Sequence, residues 1–197
     1  MSSRSSSSRP RCWATSDPLY LAYHDEEWGR PVTDERGLYE RLCLEGFQSG
    51  LSWLTILRKR ENFRRAFAEF DPDAVARFDE RDVQRLLGDA GIVRHRGKIE
   101  ATIANARGVL GLRDSGTPLH ELVWSFAPAD YGVPQVVADW HAQTPESKEL
   151  SKRLKSAGFR FVGPTTMWAA MQACGVVNDH LATCWVRADV DRAHHGV

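Results

Sequence analysis

An all-α fold is predicted by three features of the 197-residue sequence. Apolar residues recur at helical spacing through most of the chain, strand-like alternation is scarce, and short polar turns with capping residues separate the apolar runs. The length suits one domain with a substantial core, and a single domain is expected over residues 11–187. The serine- and arginine-rich start, residues 1–10, has no apolar residue after Met1 and is expected to be disordered. Residues 188–197 are expected to form a flexible tail.

From Asp34 to Phe47, Leu38, Leu42 and Leu44 lie near helical spacing, and Gly46 and Gly50 bracket the end of the run. Ser52 offers a side-chain oxygen to cap the next helix, which carries Trp53, Ile56, Leu57, Phe63 and Phe67. At Asp71–Pro72 a capping residue precedes a proline at the first helical position, where no amide hydrogen is left unpaired. Asp79 or Glu80 through Leu87 continues the pattern, as does Ile99 to Leu112. The turn "RDSGTP" leads into the short segment "LHELVWSF". Residues 127–144, interrupted by proline and weakly periodic, read as a loop. Two further helical segments flank "AGFRFVG", where Gly158 and Gly163 permit a tight connection. Such a helix–hairpin–helix unit either presents backbone amides to a phosphate or is a plain turn between packed helices.

Formal charge sums to zero, from 26 basic and 26 acidic side chains, so attraction to nucleic acid has to come from local clusters. Those clusters are "RKR" at 58–60, "RHRGK" at 94–98 and "SKRLKSAGFR", the last adjoining the glycine hairpin. Four scattered cysteines do not suggest a disulfide scaffold, and a cytoplasmic location is expected. No apolar stretch approaches the roughly 18 residues of a membrane span, so no membrane association is expected. Seven tryptophans are many for this length, and their placement matters more than their number.

"NDHLATC" sets His180 and Cys184 four apart, a spacing that on a helix puts them on one face. Cys12 and His24 stand near the other end of the chain. Together they make a Cys2His2 set, the composition that tetrahedral zinc prefers, with no open coordination position. A single structural zinc is therefore expected to pin the N-terminal segment to the C-terminal one. Cys43 and Cys174 lie in helical stretches and read as small buried side chains.

"YHDEEWGRPVTDERGLYERLCLEGFQSGLSWLTILRKRENFRRAFAEFD", "DAGIVRHRGKIEATIANA" and "GFRFVGPTTMWAAMQACGVVNDHLATC" together closely resemble the 3-methyladenine DNA glycosylase I family, a branch of the helix-hairpin-helix DNA glycosylases. The likeness runs from about Arg11 to Cys184. It implies a monofunctional enzyme that flips N3-alkylated adenine out of double-stranded DNA, hydrolyses its glycosidic bond and leaves an abasic site, acting as a monomer without lyase activity. It implies that Cys12, His24, His180 and Cys184 bind the zinc, that Glu45 is the pocket carboxylate, and that Trp13, Tyr20, Tyr23 and Trp53 line the base site. Gly50 and Leu51 match the loop that fills the gap in the duplex. Lys155, Gly158, Phe159, Arg160 and Gly163 are the expected phosphate-gripping hairpin. Trp28, Trp124, Trp140, Trp168 and Trp185 are assigned to packing.

The chemistry agrees with this assignment. A 3-alkyladenine in DNA is cationic where adenine is neutral, so electron-rich faces and one carboxylate discriminate between them. The base also departs neutral, which leaves flipping and orientation as the protein's main task. The sequence departs from the family pattern at Phe47, where glutamine is usual, at Ser49, where alanine is common, and in having no glycine between Cys12 and Trp13. Phe47 either reshapes the pocket or only its wall. Where the wider superfamily has a catalytic aspartate, "VVNDH" offers Asn178, with Asp179 adjacent. The rival readings are a catalytically silent damage-binding module and a glycosylase of broader alkylpurine range.

Overall fold

The structure, a computed structural model, describes residues 9–194. Most of the serine-rich start, residues 1–8, and the last three residues, 195–197, lie outside that range. The described residues form ten α-helices joined by turns, with two short 3-10 segments. They are α1 (Pro18–Glu26), α2 (Glu35–Gln48), α3 (Trp53–Ala66), α4 (Pro72–Val75), α5 (Glu80–Gly88), α6 (Arg96–Asp114), α7 (Leu119–Trp124), α8 (Pro145–Ser156), α9 (Pro164–Ala173) and α10 (Arg187–His194). No helix among them is long and apolar enough to cross a membrane.

Local chemistry sets the helix starts. Pro18, Pro72, Pro145 and Pro164 all sit in the first helical turn, where a missing amide hydrogen costs nothing. Asp17, Asp34, Ser52, Asp71, Asp79 and Thr144 each cap the helix that follows through a side-chain oxygen. Helix α1 escapes the periodicity argument because both its faces are partly covered, yet its Asp17–Pro18 start repeats the signature of Asp71–Pro72.

Helix α2 is the centre of the body. It packs against α3, α6, α7 and α9, and every residue from Leu38 to Phe47 is buried. One side meets an aromatic column in which Phe47 lies 4.6 Å from Phe63, followed by Phe67 and Phe70. Phe47 therefore belongs to the core. Two residues along a helix is a rotation of about 200°, which turns Phe47 away from the face that carries Glu45.

Helices α8 and α9 flank the connection at residues 157–163 as expected. Gly158 and Phe161 take positive φ there, 90° and 56°. Asn105 of α6 clamps the connection by accepting from the Arg160 amide at 2.7 Å and donating to the Arg160 carbonyl at 3.2 Å. Phe159 is buried against Gly108, where any Cβ would lie 2.5 Å from its ring. Phe159, expected as part of the DNA-facing hairpin, is thus an anchor, with its amide donating to the Leu154 carbonyl at 3.0 Å.

Two local expectations are corrected. His180 and Cys184 do not share a helix, because residues 178–186 form irregular turns. Asn178 bonds the Asp191 carboxylate at 2.6 Å and the Arg187 carbonyl at 3.3 Å, so this segment is built around side-chain bonds instead of a helical ladder. Beyond it, the stretch expected to be a flexible tail begins with α10, whose Val190 is fully buried.

Gly175 closes α9 at φ +69°, and a Cβ there would lie 2.5 to 2.6 Å from the backbone of residues 29–31. The Val32 amide bonds the Cys174 carbonyl at 2.9 Å beside it. Both the φ and the close approach require glycine. Gly175→Ala should therefore lower the unfolding free energy by about 3 kcal/mol, read from the urea midpoint. Gly50→Ala, with nothing within 4 Å, should cost much less.

Candidate functional site

The four predicted ligands converge. Cys12, His24, His180 and Cys184 are all buried, and one donor atom from each lies within 4.8 Å of the others. The His180 Nδ1 atom is 3.4 Å from both the Cys12 and the Cys184 sulfur, and the His24 Nε2 atom is 3.6 Å from the Cys184 sulfur. A tetrahedral ion with ordinary Zn–S and Zn–N bonds gives ligand–ligand edges of roughly 3.3 to 3.8 Å, so the cluster fits one metal ion. The outward nitrogens fit too. His24 Nδ1–H donates to Asp25 Oδ1 at 2.7 Å, and His180 Nε2–H donates to the Trp28 carbonyl at 3.0 Å, which turns Nε2 and Nδ1 respectively inward. Arg11 holds Asp25 in turn at 2.6 Å. The Cys12 thiol hydrogen-bonds the Cys184 sulfur, which favours thiolate at Cys184 and thiol at Cys12; a dication would favour thiolate at both.

Next to this cluster lies a cavity of about 300 Å³, at the small end of ligand sites. Trp13, Tyr20, Tyr23 and Trp53 form one arc around it, with ring centroids 5.2, 6.3 and 5.3 Å apart in that order. The cluster stands behind the arc: Trp13 meets the His24 ring edge-on at 4.6 Å and Trp28 meets His180 at 4.7 Å. A larger cleft of about 420 Å³ opens between the end of α6 and α8. Its charged residues, Glu149, Lys152 and Arg153, are all exposed, so it offers only solvated polar groups.

Glu45 sets the pocket apart. It comes from the buried face of α2, is 5 % exposed and makes no hydrogen bond or ion pair among the described residues. The other charges of that helix are matched: Glu40 accepts from Arg64 at 2.8 and 3.0 Å, and Arg41 donates to Glu27 at 2.8 Å. Burial pushes the Glu45 carboxyl up to about 8, with Arg41, one turn earlier, pulling partly against it. Burial thus favours the neutral carboxyl, and a cation brought into the pocket would favour the ionised form.

A second cavity of about 240 Å³ shares Glu45, Gln48 and Ala169 with the first and is bounded by Ser49, Gly50 and Leu51. Gly50 takes φ +81° and Leu51 is 42 % exposed, so an apolar tip projects at the pocket mouth. Lys98 fixes the base of this loop: its buried ammonium donates to the Phe47 carbonyl at 2.9 Å and the Ser49 carbonyl at 2.6 Å. Burial lowers its pKa.

Of the basic clusters, the first is tied up within the fold, with Arg58 on Asp17, Lys59 on the Ala90 carbonyl and Arg60 on Glu27. Arg96 pairs with Glu80 and Glu100. Lys155 and Arg160, flanking exposed Gly158 and near half-buried Gly163, form no ion pair among the described residues. Gln48, Trp28, Trp140, Ala169 and Gln172 also line the pocket and were not foreseen. Two of these, Trp28 and Trp140, had been assigned to packing. An abundance of tryptophan was the only sequence signal for them, and it does not say which indole reaches the cavity.

The Methyladenine glycosylase family model matches residues 13–188. The chain is 52 % identical over 177 residues to DNA-3-methyladenine glycosylase 1 of Escherichia coli (strain K12), covering 88 % of this chain and 95 % of that one. A crystal structure of 3-methyladenine DNA glycosylase I superposes with a TM-score of 0.86 at 50 % identity, over 89 % of this chain and 98 % of the other. The Staphylococcus aureus 3-methyladenine DNA glycosylase I, whose structure describes 3-methyladenine recognition, gives a TM-score of 0.86 at 36 % identity, over 89 % and 95 %.

The Glu45 environment has a measurable signature. Its folded pKa, about 8, exceeds the ordinary 4.5, so the stability it contributes is fully present below about pH 4.5 and is lost as pH rises through 8. Glu45→Gln removes this dependence. The ligand-free variant should gain stability over the parent progressively from pH 5 to pH 9, on the order of 3 kcal/mol at the upper end, as measured by thermal melts across that range. A pH-independent gap would contradict the assigned environment.

Proposed function

The chain belongs to the methyladenine glycosylase family, and from that premise we propose that it removes N3-alkylated adenine, above all 3-methyladenine, from double-stranded DNA in base excision repair. It hydrolyses the N-glycosidic bond of a flipped nucleotide, releases the free base and leaves an abasic site. The observation that carries this reading is a buried carboxylate without a protein partner inside an aromatic arc.

Alkylation at N3 makes the nucleobase a cation. Aromatic faces attract a desolvated cation by roughly 0.5 to 2 kcal/mol per contact, and Trp13, Tyr20, Tyr23 and Trp53 supply several. Glu45 ionises against the positive base and accepts from its exocyclic amine, a charge-assisted bond about twice as strong as a neutral one. Neutral adenine leaves Glu45 either protonated or uncompensated, so it gains little. The glycosidic bond of the alkylated nucleoside is already weak because its base departs neutral. Holding and orienting the cation is then most of the catalysis, with Glu45 as the catalytic residue that touches it.

No aspartate base is invoked. Asp179 is buried with its carboxylate accepting from the Tyr131 hydroxyl at 2.5 Å and from the Gln172 amide, and Asn178 is committed to α10. Lyase chemistry would need a desolvated lysine poised at the sugar; Lys98 is held by two carbonyls and Lys155 is exposed, so neither is set up as an attacking amine. On the DNA side, Gly50 and Leu51 fill the space left by the flipped nucleotide, which offsets part of the few kcal/mol of unstacking. Lys155, Gly158, Arg160 and Gly163 grip the phosphates as a helix-hairpin-helix element, with Phe159 anchoring the turn from beneath.

Cys12, His24, His180 and Cys184 would hold one Zn2+, whose four protein ligands leave no position for water or substrate. Its contribution is structural: it fixes residues 12–24, and so three walls of the base pocket, against residues 180–184.

Incubation with methylated DNA should release 3-methyladenine. Release of nothing would favour a damage-binding module, and abundant 7-methylguanine a broader enzyme. Glu45→Gln should reduce excision by at least about 100-fold, a loss of roughly 2.7 kcal/mol, while binding to an abasic-site analogue stays near that of the parent; equal loss of both would make Glu45 a folding residue. Elemental analysis should find about one zinc per chain. Cys184→Ala should lose the metal and melt at a lower temperature, and retention of both would refute the ligand assignment.

A further inference from the structure

We propose that Trp140 is a specificity-determining wall of the base pocket that sets the largest N3 substituent the enzyme accepts. This rests on the reading of the pocket as an alkyladenine site and adds a residue from a part of the chain that otherwise has no role in it. Trp140 belongs to the loop at 127–144, whose residues 135–139 are all exposed. It alone of these turns inward and lines the cavity. Its ring lies 5.6 Å from Trp28 and 6.4 Å from Trp13, extending the aromatic surface beyond the arc carried by α1 and α3.

The ring is held from several sides. Its indole N–H donates to the Asp179 carbonyl at 2.9 Å. The Asp179 carboxylate accepts from Tyr131 at the start of the same loop and from Gln172, itself a pocket residue. The Ala182 amide donates to the Pro134 carbonyl at 2.9 Å. Asp139 closes the turn just before Trp140 by accepting from the amides of Gln135 at 2.8 Å and Val136 at 3.0 Å. A side chain required only for packing has no need of a fixed orientation at a cavity surface; Trp124, whose indole bonds the Val32 carbonyl, lines no part of this pocket.

A wall that cannot yield discriminates by size. One added methylene in a fitted apolar pocket changes selectivity by roughly 10-fold or more, and a locked indole cannot rotate away to relieve the crowding. Replacing Trp140 by a small residue opens space beside Trp13 and Trp28 while leaving Glu45 and the arc in place.

The test measures single-turnover release of 3-methyl-, 3-ethyl- and 3-propyladenine from alkylated duplex DNA by the full-length protein, W140A and W140F. Melting temperature and metal content report the fold, and W140F keeps bulk if W140A is unstable. The expected result is a methyl-to-propyl rate ratio that falls by about 10-fold in W140A, with W140F between it and the parent. If the parent releases 3-methyladenine and both variants keep its ratio within about two-fold, or lose all three activities in proportion, Trp140 is a packing residue and this inference falls alone. If the parent releases no alkyladenine, the functional reading falls with it.

Discussion

A carboxylate buried without a partner at the centre of the molecule is the constraint around which the structure is arranged. Helix α2 is covered on all sides, and a helix so enclosed normally carries few charges. This one carries three in six residues. Two are neutralised from outside, Glu40 by Arg64 and Arg41 by Glu27, and the third opens onto a cavity. Packing against four other helices holds Glu45 in a position that it would not occupy by its own preference. Such a site is destabilised when empty and relieved by a cation, the pattern expected where binding energy is reserved for one charge state.

The pocket and the Cys/His cluster are two faces of one structure. His24 and Tyr23 are neighbours on α1, so the helix that presents an aromatic wall also supplies an imidazole to the Cys/His cluster. Trp13 and Trp28 stand between the two, each touching an imidazole of the cluster and lining the cavity. Segment 178–184 serves both as well, because it contributes His180 and Cys184 to the cluster and the Asp179 atoms that orient Trp140 and Gln172. Disturbance of the cluster is therefore transmitted to the shape of the pocket through the direct contacts of Trp13 and Trp28.

Much of this was legible in the sequence because the chemistry leaves few alternatives. Four cysteine and histidine residues at the chain's two ends suit a metal, and apolar periodicity, with helix starts at Ser52, Asp71–Pro72 and Asp79, located much of the helical body. Geometry that depends on tertiary fit was not legible. The interval between His180 and Cys184 was read as helical spacing, whereas local side-chain bonds from Asn178 and Arg187 stabilise turns there, and the two side chains still meet in one cluster. Phe159 looked like part of a DNA-facing hairpin, yet Gly108 provides a socket fifty residues away in sequence. Trp140 has no local pattern to reveal it: only the return of the loop onto residues 179–182 brings the indole to the cavity. Phe47, by contrast, was decidable from helix geometry once α2 was accepted.

The Lys98 ammonium has a consequence for the order of events at the duplex. It stands where a helix usually ends in solvent, joining the last turn of α2 to α6 through two carbonyls. The backbone leaving that turn is thus aimed by the fold itself, while Gly50, with no Cβ and open space where one would sit, is the least restricted residue type for the tip. On the proposed insertion of Gly50 and Leu51, the entropy lost would be confined to the tip and not spread over the whole loop. A probe with a stiff shaft and a compliant point can search stacked bases at little cost and commit only where a weakened stack gives way.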